Sequence, residues 1–141
     1  MAHRVAVTGL GSVTPLGCNA ATTWEALIAG TSGVAQISLF DASEQDVTIA
    51  AEVKGFDPGV AMDRKEARHA DRFVQFAIVA GLEALEGAHL RIDDANRDRI
   101  GVVIGSGIGG LTTISEQFDT LRERGPRRVS PFLVPMMLPD M

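Results

Sequence analysis

The sequence predicts an α/β fold with a partly parallel sheet, and three observations carry that prediction. Residues 4–8 and 100–104 are short β-branched runs, and the second is apolar throughout, the pattern of a strand covered on both faces. Each run passes into a glycine-rich loop. Beyond each loop, apolar residues recur at helical spacing. Strands alternating with helices in this way build layered α/β domains.

The elements follow in chain order. The strand at 4–8 ends in Gly9, and Gly9, Gly11, Pro15 and Gly17 make the next segment a loop. Asn19 caps a helix over about 20–29, with Trp24, Leu27 and Ile28 on one face and Gly30 as its stop. Residues 30–46 read as irregular, and 47–53 alternate as an edge strand. Asp63 caps a first helical turn. A longer helix follows over roughly 70–87, where Phe73, Phe76, Ala77, Ala80, Gly81 and Ala84 recur at helical spacing and the alanines permit close packing. Residues 92–97 form a loop or short turn. Leu111–Arg124 is an amphipathic helix with Leu111, Ile114, Phe118 and Leu121 as its stripe, stopped by Gly125-Pro126. The segment 129–138 is apolar and has no cap. No internal repeat, low-complexity tract or linker interrupts the 141 residues, so no internal domain boundary is expected.

Composition narrows the function. Apolar residues make up 45% of the chain, enough for a core, but only 5% is aromatic and there is no Tyr, so aliphatic side chains must do the packing. A net charge of −5 argues against a general nucleic-acid binder. The cations are nonetheless clustered: Arg64, Lys65, Arg68 and Arg72 form one window, and Arg122, Arg124, Arg127 and Arg128 another. Residues 1–63 hold only Arg4 and Lys54. Such clustering on an acidic protein points to local anionic partners. Cys18 is the single cysteine, which excludes an intrachain disulfide and a cysteine metal cluster. The first residues lack a secretory apolar region, and the uncharged runs 26–40 and 100–115 fall short of the roughly 20 apolar residues that span a bilayer. A soluble cytoplasmic protein is the expectation.

Gly105-Ser-Gly-Ile-Gly-Gly110 fits G-x-G-x-x-G between a strand and a helix, the setting of a dinucleotide fingerprint. That fingerprint needs an acidic residue about 20 positions on, at the end of the next strand. Glu123 has the spacing but lies in the last turn of a helix. The loop can equally be structural, its glycines serving positive φ and close backbone approach. Cys18 at a helix start would favour a thiolate, but His3, His69 and His89 show no motif-like relation to it. No spacing of His, Cys and Asp suggests a metal. The basic windows have a plain reading too, as solvated faces with ion pairs, because Asp63, Glu66 and Asp71 alternate with the first and Glu123 sits in the second.

Val7-Thr-Gly-Leu-Gly11, Thr14-Pro-Leu-Gly17, Trp24, Gly33, Arg64-Lys-Glu66, Asp71-Arg-Phe73, the glycine loop 105–110 and Ser130-Pro-Phe132 occur in one order and spacing. In that arrangement the chain, from Arg4 to Met141, resembles the amino-terminal part of a type II β-ketoacyl-acyl carrier protein synthase. The resemblance implies a thiolase-like fold of five layers, α-β-α-β-α, of which these residues form the front part of the N-terminal half, in a homodimer. It implies decarboxylative condensation of an acyl group with malonyl-acyl carrier protein in fatty-acid elongation, without a cofactor. The catalytic cysteine and two histidines are expected beyond Met141, so no catalytic residue falls in this chain and it should be inactive and poorly autonomous alone. Ile108 and Leu133 match acyl-pocket positions; at 133 type II enzymes usually carry an aromatic, a departure that bears on chain length. Lys65, Arg68, Arg127 and Arg128 match positions that dock the acidic carrier protein. A polyketide ketosynthase or its inactive chain-length partner shares these features. A non-catalytic binding fragment and a dinucleotide-dependent reductase are the remaining alternatives.

Overall fold

The computed structural model describes residues 4–138, so His3 and the last three residues lie outside it. The chain divides into two compact units. One comprises the residues up to Asp57 with Val79–Leu90; the other comprises Pro58–Ile78 with the residues from Arg91 onward.

In the first unit, helix α1 is Ala20–Ile28. It starts where expected because the Asn19 side chain accepts the Thr22 N–H at 2.8 Å. It stops because the Gly30 and Thr31 N–H groups return to the Leu27 and Ala26 carbonyls, closing a Schellman motif. Strands β1 (Val34–Gln36) and β2 (Ile49–Ala51) pair antiparallel with Val34 opposite Ala51. The first of these lies inside the segment read as irregular, since three residues are too few to show a period. Just past β2, the buried Glu52 accepts the Ser38 hydroxyl at 2.6 Å and the Ser38 and Leu39 N–H groups. The Ser38 hydroxyl, then its N–H, hold the Glu52 carboxyl below the ordinary value of 4.5.

The same unit contains the later part of helix α3 (Arg72–Gly87), which lies against the first glycine loop. A Cβ at Gly9 or Gly11 would overlap the Ala84 or Ala80 carbonyl, so only glycine lets the loop approach this helix. Glu83 on α3 then accepts the Ser12 N–H at 2.9 Å and the Ala20 N–H at 2.8 Å. Thr23 joins Ser12 and Thr14 by hydroxyl contacts of 3.2 and 3.0 Å. At its end α3 closes with Leu90 N–H on the Leu85 carbonyl and His89 at φ 50°.

In the second unit, helix α2 (Arg64–Arg68) carries a complete capping box: Asp63 accepts two helix N–H groups while Glu66 reaches back to the Asp63 N–H. Helix α4 spans Leu111–Arg124 as the sequence predicts, and the 3₁₀ turn Pro126–Arg128 and helix α5 (Leu133–Met137) pack against it. Helix α5 lies in the apolar stretch that shows no cap in the sequence.

The expected strands at 4–8 and 100–104 form no ladder among the described residues. Val5 is 93% exposed and Val103 98%, so these runs have strand chemistry without a neighbour for their N–H and C=O groups. The sheet described is β1–β2 and is antiparallel, where a partly parallel one is expected. Among the described residues only Ala42 and Val79 are buried apolar side chains.

Candidate functional site

The second unit gathers the residues that matter, and its geometry starts at the glycine loop. Gly110 precedes α4 without a side-chain cap. The cap comes instead from Asp71, whose Oδ2 accepts the Thr113 N–H at 3.1 Å and also the Thr113 hydroxyl. Gly110 N–H donates to the Met137 carbonyl at 3.0 Å. A dinucleotide site would place a phosphate at this helix start. Here the position is held by a carboxylate of the chain itself, so the helix start that the reductase alternative needs is already capped.

The basic windows are disposed differently from simple ion-paired faces. Lys65 and Arg68 are exposed on α2, and Arg127 and Arg128 are exposed on the 3₁₀ turn after α4. Among the described residues none of the four makes a salt bridge; the described pairs join Arg97 to Asp94 and Asp98. The carboxylates that alternate with the first window are otherwise engaged. Asp63 and Glu66 bond backbone N–H groups of the capping box, and Asp71 is turned inward to Thr113. The cations are left facing outward.

Leu133 is half-buried in a cleft of about 170 Å³ between α4 and α5, beside Ile114, Phe118, Leu121, Val129 and Met137. Gln117 on the same helix accepts the Ser130 N–H at 2.6 Å and fixes the segment leading to it. Ile108 is not part of this cleft: it stands 74% exposed on the glycine loop. The two acyl-pocket expectations therefore do not meet in one cleft: Leu133 lies alongside the middle of α4, and Ile108 lies on the loop before it. His69 is the C-cap of α2 and stacks on Phe132, with ring centroids 4.0 Å apart.

Cys18 is half-buried, and its thiol donates to the Lys54 carbonyl at 3.6 Å with no histidine bonded to it among the described residues. No helix of the described residues is long and apolar enough to cross a membrane. Sequence reasoning saw Asp71 as one charge among cations and missed its inward role. The readable signal is an Asp immediately before a helical segment, which marks a capping carboxylate.

The glycine loop is closed by the chain's own carboxylate, and the chain folds like the ketosynthases, members of the thiolase-like class. The sequence matches the family described as Beta-ketoacyl synthase, N-terminal domain, over residues 2–141, and the chain belongs to that family. It is 49% identical over 138 residues to the 3-oxoacyl-(acyl-carrier-protein) synthase 2 of Staphylococcus aureus, covering 98% of this chain and 33% of that protein. The chain thus spans about a third of the length of the curated relatives it matches. Its fold matches the ishigamide ketosynthase/chain length factor with a TM-score of 0.76 at 25% identity, over 94% of this chain and 33% of that one. It also matches, with a TM-score of 0.75 at 22% identity over 95% and 35%, a ketosynthase solved in complex with its type II polyketide acyl-carrier protein.

Proposed function

We propose that this protein is a fatty-acid elongating condensing enzyme, a 3-oxoacyl-acyl carrier protein synthase acting in the cytoplasm as a homodimer. An acyl group passes from its carrier thioester to a cysteine thiolate and releases the carrier thiol. Malonyl-carrier protein then loses carbon dioxide, and the carbanion attacks the acyl carbonyl and expels the thiolate. The resemblance puts that cysteine and two assisting histidines beyond Met141. Within this chain Ile108 and Leu133 border the acyl channel, and Lys65, Arg68, Arg127 and Arg128 receive the acidic carrier protein.

One observation carries this reading: among the described residues of an acidic chain Lys65, Arg68, Arg127 and Arg128 make no salt bridge, and the carboxylates that alternate with the first window bond helix N–H groups instead. Such a face suits an acidic protein. Rim charges of this kind act on encounter rate and salt dependence. The double variant Arg127→Glu with Arg128→Glu, in the full-length enzyme, should raise KM for malonyl-carrier protein and flatten its salt dependence. The expected size is about 0.2–1 kcal/mol per exposed contact. Small thioesters that lack the carrier protein should react as before. Equal losses on both substrates would assign these arginines to the fold.

The likeness to a ketosynthase/chain length factor supports a second reading, a polyketide ketosynthase or its inactive partner. The residue at the nucleophile position separates the branches. An acyl adduct detected by mass spectrometry on a cysteine, after incubation with an acyl thioester, excludes the inactive partner.

A further inference from the structure

Two helices of the second unit begin at one carboxylate. Asp71 is 6% exposed. Its Oδ1 accepts the Phe73 N–H at 3.3 Å and its carbonyl accepts the Gln75 N–H at 3.1 Å, so it caps the start of α3. Its Oδ2 caps α4 through the Thr113 N–H and hydroxyl. The free N–H groups at a helix start carry partial positive charge, and here a single anion answers two such ends.

Gly110 lies directly against this point. A Cβ there would come within 2.9 Å of Asp71 Oδ2 and 2.8 Å of the Met136 carbonyl, so glycine is what lets the loop reach the carboxylate. Upstream the loop is open: a Cβ at Gly105 or Gly107 would meet nothing within 4 Å. Ile108 is therefore carried by a loop gripped at its α4 end, closed across Ile108 by the Gly109 N–H on the Ser106 hydroxyl at 3.0 Å, and open to solvent at Gly105 and Gly107. Two residues before Asp71, His69 stacks on Phe132, the neighbour of Leu133.

We infer that Asp71 is a positioning residue for Ile108, its carboxylate fixing where the glycine loop joins α4 and thereby which acyl lengths the channel admits. This inference rests on the proposed reading of Ile108 as an acyl-channel residue. Asp71→Asn replaces one acceptor by a donor that must face an N–H group. Thr113→Val removes the hydroxyl donor at nearly constant shape, and Thr113→Ser keeps it.

The test measures kcat/KM of the full-length enzyme for long and short acyl thioesters without a carrier protein, which separates the channel from docking. The long-to-short ratio should change about tenfold in Asp71→Asn, near the lower end for a hydrogen bond to a charged group, and about threefold in Thr113→Val, where only part of that bond's effect reaches the loop. Thr113→Ser should keep the original ratio. Ile108→Phe is the reference, because it fills the channel and should suppress long primers selectively. If Ile108→Phe leaves the ratio unchanged, the reading of Ile108 falls and takes this inference with it. If Ile108→Phe shifts the ratio while Asp71→Asn and Thr113→Val do not, the positioning role alone is overturned. Uniform loss across chain lengths that follows a lowered melting temperature also overturns it. Should Asp71→Asn fail to fold, Thr113→Val against Thr113→Ser decides.

Discussion

The two glycine loops look alike in sequence and behave as opposites. Gly9 and Gly11 press against α3 so closely that a methyl group at either would strike a helix carbonyl, and Glu83 ties Ser12 and Ala20 just beyond. Gly105 and Gly107 have open space where a side chain would go, and among the described residues the second loop is tied to the helices at its far end, by Asp71 and the Met137 carbonyl, with one bond of its own from the Gly109 N–H to Ser106. Glycine spacing alone does not separate an anchored loop from a hanging one. What separates them is whether a helix backbone passes within contact distance of the missing Cβ.

The comparison can be broken most directly at Gly11. Gly11→Ala should destabilise the full-length protein by about 3 kcal/mol, the upper end of overpacking costs, read from chemical denaturation. A near-neutral result would mean the first loop is not anchored at all. Glu83→Ala comes next. It orphans the Ser12 and Ala20 N–H groups and should cost about 1–3 kcal/mol in the same measurement. Gly107→Ala should instead stabilise by about 0.4–1 kcal/mol, since its site is open and its φ is not among the positive ones. A loss comparable to that at Gly11 would erase the distinction between the loops.

The smallest expected effect is a pH dependence confined to the first unit. The folded Glu52 carboxyl titrates below its ordinary value of 4.5, so the bonds from Ser38 and Leu39 stabilise the fold above that pH and are lost as pH falls through the lower folded value. Stability measured from neutral pH downward should fall more steeply in the natural protein than in Glu52→Gln. Parallel curves would remove Glu52 from the account.

Local signals were legible. Asn19, Asp63 and the stripe of α4 are features a helix needs within its own few residues, and the helices begin where those residues say. Strands are different, because a strand is defined by a neighbour. The runs at 4–8 and 100–104 have the right residues, yet no described ladder, whereas the plain Val34-Ala-Gln36 pairs because β2 returns alongside it. The candidate site was half legible for the same reason. Cation clustering can be counted from the sequence, whereas Ile108 and Leu133 come from the family resemblance and stand as proposals. An Asp just before a helical segment announces the cap of α3, but the second cap depends on Thr113, 42 residues away, and nothing local announces that contact.

Helix α4 also acts as a ruler. Its 14 residues, at 1.5 Å each, make a rod about 21 Å long with the Ile108 loop at one end and the Arg127-Arg128 turn just past the other. A rod of fixed length imposes a delivery distance. On the proposed reading, a carrier seated on that turn would have to hold its acyl cargo on a tether long enough to run beside the rod, and a cargo fixed to the carrier's own surface would stay out of reach of the loop.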